Sequence, residues 1–231
     1  IKNNKILSRA FYKLWEILIF FDLLPDKQIV TAHLAEGPGS FVQSVIFYRD
    51  KYNKSISDKD KYCAITLDNN NNETPNLNKK KLECYSKKNN QRYFQYKTNK
   101  KDNGDLTKLD IINNFADDIK KQDEKATLVT ADGGFVWVDE NYQEQESYKL
   151  LIGEILACLK IQKVNGSFVI KIFDIFTKVT IKIISIIQHF YKDVYIYKPF
   201  MSRPSNSEKY IIAKNFNPSK NFNNEIKQLE N

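Results

Sequence analysis

The sequence predicts one α/β domain on a mostly parallel sheet of about seven strands with helices on both faces. Short apolar runs of strand length alternate with segments of helical period throughout the chain. The first apolar run, 29–34, passes directly into Ala35-Glu36-Gly37-Pro38-Gly39-Ser40-Phe41, a strand followed by a glycine turn and a helix start. Further apolar runs end in acids, at Asp68 and at Asp132-Gly133-Gly134. In a doubly wound sheet that edge is where ligands bind.

Taken in order, Ser8 can cap a helix over 8–24, with Phe11, Leu14, Trp15, Leu18 and Ile19 as its buried stripe and Pro25 as its stop. Strand 29–35 and helix 39–48 follow, then strand 62–67. The segment 69–81 is too polar for a core and reads as an exposed insertion. A weaker strand at 92–96, a turn at Gly104-Asp105, a helix over 109–120 and a strongly apolar strand at 126–131 come next. The C-terminal half reads as a long amphipathic helix 142–163, a buried strand 167–173, a helix 176–191 and strands 194–197 and 210–213. The domain is expected to span 1–216, with 217–231 a polar tail or linker leading to a region outside this chain.

At 231 residues and 42% hydrophobic content the chain can bury one sizeable core. A net charge of +8 favours an anionic partner, nucleic acid ahead of an acidic membrane. Cys63, Cys84 and Cys158 lack paired spacing and are joined only by His33 and His189, so neither a disulfide framework nor a metal site is expected. The apolar stretch at 14–24 is short and interrupted by Glu16 and Asp22, so no membrane span is expected. The chain reads as an intracellular piece of a longer protein, and its Lys- and Asn-rich composition as the product of an AT-rich genome.

Four acids, Glu36, Asp68, Asp105 and Asp132, fall at strand ends or the turns after them and form a candidate cofactor rim. A dinucleotide fingerprint would need glycine where Val42 stands, and Glu36 would repel a pyrophosphate. A carboxylate there suits a cationic ligand such as S-adenosylmethionine. Gly37 and Gly39 allow close backbone approach, and Asp68 is spaced like an acid that grips ribose hydroxyls. Lys171 interrupts the apolar strand Phe168-Val169-Ile170-Lys171-Ile172-Phe173 and needs a reason to be there, unless it lies at the strand's end and reaches solvent.

Together, Ser8-Arg9-Ala10-Phe11-Tyr12-Lys13, the Ala35 to Phe41 heptad, Gly104-Asp105-Leu106-Thr107-Lys108, Thr130-Ala131-Asp132-Gly133-Gly134-Phe135, Lys171-Ile172-Phe173-Asp174 and Ser202-Arg203-Pro204-Ser205-Asn206-Ser207-Glu208-Lys209-Tyr210 resemble the FtsJ-like RNA 2′-O-methyltransferases, closest to their mRNA cap-specific branch. The resemblance implies a Rossmann-like methyltransferase sheet, S-adenosyl-L-methionine as cofactor, and no metal. It implies a catalytic tetrad of Lys13, Asp132, Lys171 and Glu208. Cofactor binding falls on Glu36, Gly37, Pro38, Gly39, Ser40, Phe41, Asp68, Asp105 and Asp132, and RNA binding on Arg203 and Ser205. Capped RNA is the implied substrate, with other capping enzymes as companions, no membrane, and a cytoplasmic place in host or virion, or a nuclear one. The composition suits a large DNA virus. Ser40 departs from the third glycine of many relatives, and insertions around Lys54, Asn72 and Lys100 depart from compact ones.

Such a reaction is an in-line displacement by a ribose 2′-hydroxyl, which needs positioning and activation of a poor nucleophile. Lys171 would act as base or as alkoxide stabiliser, Asp132 and Glu208 would orient it, and Lys13 would hold ribose or phosphate. An aromatic slot for a methylated guanine is not readable, and Trp137 stays outside the site. The alternatives are a methyltransferase for ribosomal or other structured RNA and a silent RNA-binding scaffold of a capping complex.

Overall fold

The computed structural model describes residues 6–68, 76–78, 82, 92–99, 102–121, 125–134 and 138–230. The expectations placed on Asn72, Cys84, Lys100 and Trp137 lie outside these residues. Its elements are α1 (Ala10–Phe21), β1 (Val30–Leu34), α2 (Ser40–Tyr52), α3 (Lys54–Ser57), β2 (Lys61–Ala64), β3 (Tyr93–Gln95), α4 (Leu109–Lys120) and β4 (Ala126–Ala131). A 3-10 turn at Glu140–Tyr142 leads into α5 (Gln143–Glu146), α6 (Tyr148–Ile161), β5 (Gln162–Ile172), α7 (Lys178–Phe190), β6 (Tyr191–Tyr197), β7 (Lys209–Phe216) and α8 (Phe222–Glu230).

The seven strands form one sheet in the order β3-β2-β1-β4-β5-β7-β6. All pairs are parallel except those of β7, which runs antiparallel to β5 and β6. The pairs Leu34↔Ala131, Ala131↔Ile170 and Lys171↔Tyr210 bring the C-terminal ends of β1, β4 and β5 to the start of β7. One edge therefore collects Glu36, Asp132, Lys171 and Glu208.

Strand alternation sends Leu128, Val169 and Ile212 to one face, where α1 and α2 cover them. Val129, Phe168, Ile170 and Ile211 face the other way, beneath α4, α6 and α7. Between central strands the buried His33 ring bonds Thr31 Oγ1 and Thr130 Oγ1, each at 2.8 Å. Burial pushes its pKa down to about 3, so the ring stays neutral.

Several boundaries differ from expectation for identifiable reasons. Helix α1 ends at Phe21 because Asp22 turns left-handed (φ 49°) and its N–H closes onto Leu18 O. Its buried residues are Phe11, Leu14, Ile17 and Leu18, whereas Ile19 is exposed and Trp15 stacks on Phe11 at 5.7 Å. Ser8 precedes the N-cap, which is Arg9; its Oγ accepts the Ala10 N–H at 3.3 Å and its carbonyl the Phe11 N–H at 3.2 Å. Of the segment 69–81 expected to be exposed, only 76–78 are among the described residues; Leu77 there is buried, as is Leu82 just beyond it. The segment expected as a polar linker instead contains α8, whose Ile226 is buried and whose Phe222 packs on Phe190 and Phe216. Lys160 pairs with Glu230 to hold its end.

Candidate active site

At the C-terminal edge of the sheet lies a cleft of about 530 Å³. Gly37 and Pro38 form one wall, Gly104, Asp105, Leu106 and Thr107 another, and Asp132, Gly134, Lys171 and Glu208 its far end. The segments 37–38, 104–107 and 132–134 follow β1, β3 and β4, whereas Lys171 stands in β5 and Glu208 just before β7.

The expected tetrad comes together as two linked ion pairs. Lys13, carried in by α1, places Nζ 2.6 Å from Glu208 Oε1. Lys171 Nζ lies 3.3 Å from Asp132 Oδ1 and donates to the Asp132 carbonyl at 3.0 Å. Its side chain is 12% exposed, so the reading in which Lys171 merely reaches solvent does not hold. The Tyr210 hydroxyl, opposite Lys171 in register, donates to Asp132 Oδ1 at 2.8 Å. Ser202 donates to Glu208, and Lys198 Nζ donates to the Glu208 carbonyl at 3.2 Å. Asp174 pairs with Lys209 at 3.5 Å.

The electrostatics follow from that geometry. Burial works against the charge on Lys171, but Asp132, Glu208 and Glu154 outweigh it and hold its pKa above the usual lysine value. Lys171 is therefore an ammonium at neutral pH. Burial alone would raise Glu208, yet the hydrogen bonds from Lys13 and Ser202 and the charges of Lys13 and Lys171 keep it below the ordinary carboxylate range. At the rim, burial and then the charge of Lys209 lower Lys198.

The cofactor-side expectations are met unevenly. Gly37, Pro38, Asp105 and Asp132 line the cleft. Asp68 lines an adjoining recess of about 430 Å³ that shares Pro38 and Thr66 with it. Glu36 is not a rim acid: it is 3% exposed, and its Oε1 accepts the Phe41 N–H at 2.6 Å and the Val42 N–H at 3.2 Å, capping α2. Burial, then the Asp132 charge, raises its pKa well above the carboxylate range, and it is not among the residues that line the cleft. Phe41 is fully buried in the core and Ser40 is held by Ser8 Oγ at 2.7 Å, so neither lines the cleft. Gly39 is left-handed (φ 103°), and a Cβ there would meet Leu82 at 2.5 Å, so its crowding partner is a core side chain. Arg203 and Ser205 are exposed on the loop before β7, outside the cleft wall.

Two contacts escaped sequence reasoning, the first of them at the turn expected at Gly104-Asp105. Gly104 is left-handed (φ 76°), and a Cβ would lie 2.3 Å from the Thr66 carbonyl. Gly104→Ala is expected to cost about 1–3 kcal/mol in urea melts, because neither backbone can yield without moving the cleft wall. The second is Glu154 of α6, 1% exposed beneath Gly133. A glutamate on the same helical stripe as Leu151 and Cys158 was the available signal.

The chain spans a small part of the curated relatives it matches. Over 114 residues it is 37% identical to the mouse (Mus musculus) cap-specific mRNA (nucleoside-2′-O-)-methyltransferase 1, covering 48% of this chain and 14% of that one. Over 117 residues it is 39% identical to protein EP424R of African swine fever virus (isolate Pig/Kenya/KEN-50/1950), named as a methyltransferase, covering 49% and 27%. Among solved structures, a Plasmodium falciparum protein described as a ribosomal RNA methyltransferase superposes with a TM-score of 0.61 at 18% identity, covering 90% of this chain and 97% of that one. That likeness establishes the fold. The family model of the FtsJ-like methyltransferases matches residues 6–216, which takes in every strand and the whole cleft, and the chain belongs to that family.

Proposed function

We propose that this chain transfers the methyl group of S-adenosyl-L-methionine to a ribose 2′-hydroxyl of capped mRNA, at the first transcribed nucleotide. The observation that carries the reading is the convergence of the Lys171–Asp132 and Lys13–Glu208 pairs at the end of the cleft. Its volume lies in the range of small-molecule sites. Gly104 keeps one wall free of a side chain, and the carboxylates of Asp105 and Asp132 suit a cationic ligand. Gly37, Pro38, Asp105, Leu106 and Asp132 would hold the cofactor, with Asp68 at the adjoining recess. Bound there, it would supply an electrophilic methyl group on a sulfonium.

The protein's part is positioning and charge. Asp132 fixes Lys171 through its carboxylate and its carbonyl, leaving an N–H for the ribose oxygen. An ammonium so held stabilises the oxygen as its proton departs to water at the mouth of the cleft. Glu208 and Lys13 fix the opposite side of the ribose. The exposed Arg203 and Ser205, with the lysines at the rim, would take the RNA backbone, and that binding should weaken steeply with salt. Capped RNA is supported by the names of the cap-specific relatives, each matched over only part of its length.

The test is transfer of labelled methyl groups to short RNAs that are capped with N7-methylated guanosine, capped without it, or uncapped. Transfer to capped RNA is expected. Transfer to uncapped RNA alone would replace the cap reading with a structured-RNA substrate, and no transfer to any RNA would favour the silent scaffold.

A further inference from the structure

Glu154 is a buried carboxyl that the mechanism leaves unused. Glu154 sits in the middle of α6, one residue after Gly153, and the two press the helix against the underside of both cleft loops. A Cβ on Gly153 would come 1.8 Å from the Leu106 carbonyl, so the helix backbone touches the loop that forms one cleft wall. A Cβ on Gly133 would come 2.3 Å from Glu154 Oε1, so the carboxyl touches the loop that carries Asp132. Glu154 is 1% exposed, and its Oε1 has no hydrogen-bond partner among the described residues. A backbone hydrogen bond with Gly133 opposes the rise of its pKa, and burying a carboxyl with one oxygen left unpartnered costs stability, which calls for a compensating role.

We propose that Glu154 is a positioning residue for methyl transfer, bracing the Asp132-Gly133-Gly134 loop from below and helping to hold the charge on Lys171. The inference rests on the function proposed above. The charged groups around this point are Lys171 from β5 and Asp132 after β4, with Glu208 before β7 and Glu36 after β1 acting on that pair, and Lys13 from α1 acting on Glu208. Burial raises Glu154 to about 8, with Lys171 opposing and Asp132 reinforcing the rise. Glu154 thus lies against Gly133, between Asp132 and Gly134, the two residues that meet Lys171.

Glu154→Gln keeps the shape and removes the charge. The limb of the pH–rate profile governed by Lys171 is expected to move to lower pH by about one unit, because an anion that favoured the ammonium is gone. The melting temperature should show the converse of wild type. A carboxyl raised on folding contributes stability below its unfolded pKa that is lost as pH rises through the folded one, so the advantage of Glu154→Gln should grow from about pH 5 to 8. A folded Gln variant with an unshifted profile overturns the proposal. A second measurement needs neither turnover nor a change at this position: carboxyl-carbon NMR of Glu154 in wild type and in Lys171→Met. Its midpoint should rise when the ammonium is removed, and an unmoved midpoint overturns the proposal too. Wild type that shows the coupled titration but methylates no capped RNA defeats the substrate reading and leaves the coupling standing.

Discussion

Lys171→Ala is expected to slow methyl transfer to capped RNA about a thousandfold or more while cofactor affinity stays within about twofold. The ammonium is bonded to Asp132 and aims at the far end of the cleft, so its loss removes activation of the hydroxyl and leaves the Gly37–Pro38 and Gly104–Thr107 walls in place. Lys171→Arg divides two mechanisms. Arginine keeps the charge at every working pH but cannot accept a proton. Since the surrounding carboxylates hold Lys171 above its ordinary pKa, the ammonium is the working form, and arginine should recover a measurable fraction of the rate, limited by its bulk beside Gly134. No recovery, with a rate that climbs on the alkaline side, would assign Lys171 as a base. An alanine variant that is folded and near wild type on capped RNA would remove the tetrad assignment altogether.

Arg49→Met is expected to destabilise the fold by about 3–5 kcal/mol, a large share of the stability of a domain this size. Arg49 is fully buried and bonds Asp60 at 2.7 and 3.2 Å, with the carbonyls of Pro25 and Lys27 each at 2.7 Å. Asp60 cannot turn away to water, because its Oδ1 also accepts the Ile29 N–H at 2.9 Å at the entrance to β1. The variant strands a buried carboxylate, so Arg49→Met combined with Asp60→Asn should regain much of the loss in urea melts. The pair joins α2 to the chain before β1, at the end of the strand remote from the cleft. The turnover of the molecules that stay folded should therefore be unchanged, and a fall in turnover per folded molecule would show that the two ends of the sheet communicate.

What could be read beforehand follows a physical division. Lys171 stood out because a cation in an apolar strand is costly wherever the sheet places it, and most strand positions followed from apolar runs, whereas the strand order came only with the fold. Glu36 was misread because its role depends on the chain turning back over it, where the first N–H groups of α2 are nearer than any ligand. Phe41 and Ser40 share that cause: a short motif places backbone at the cleft but does not tell which side chains turn into the core. Helix α8 was missed because Phe222, Ile226 and Leu229 are thinly spread among Asn and Lys, and only the patch under Phe190 and Phe216 gives them something to bury against. Glu154 was hidden in a helix read as amphipathic, where acids ordinarily face water.

Lys13 enters near the start of the chain and its partner Glu208 near the end, with Tyr210, the hydroxyl that steadies Asp132, just beyond. Strand β7 must slot between β5 and β6 before these contacts exist, although it follows both of them in the chain. A growing chain that has completed β1 to β5 would carry Lys13, Asp132 and Lys171 but no Glu208 to join them. Closing that loop is among the most entropically costly contacts in the domain, and it comes late. Under the proposed function, catalytic competence arrives only with β7: a chain that lacks it can bury much of its core and still leave Lys13 without its partner.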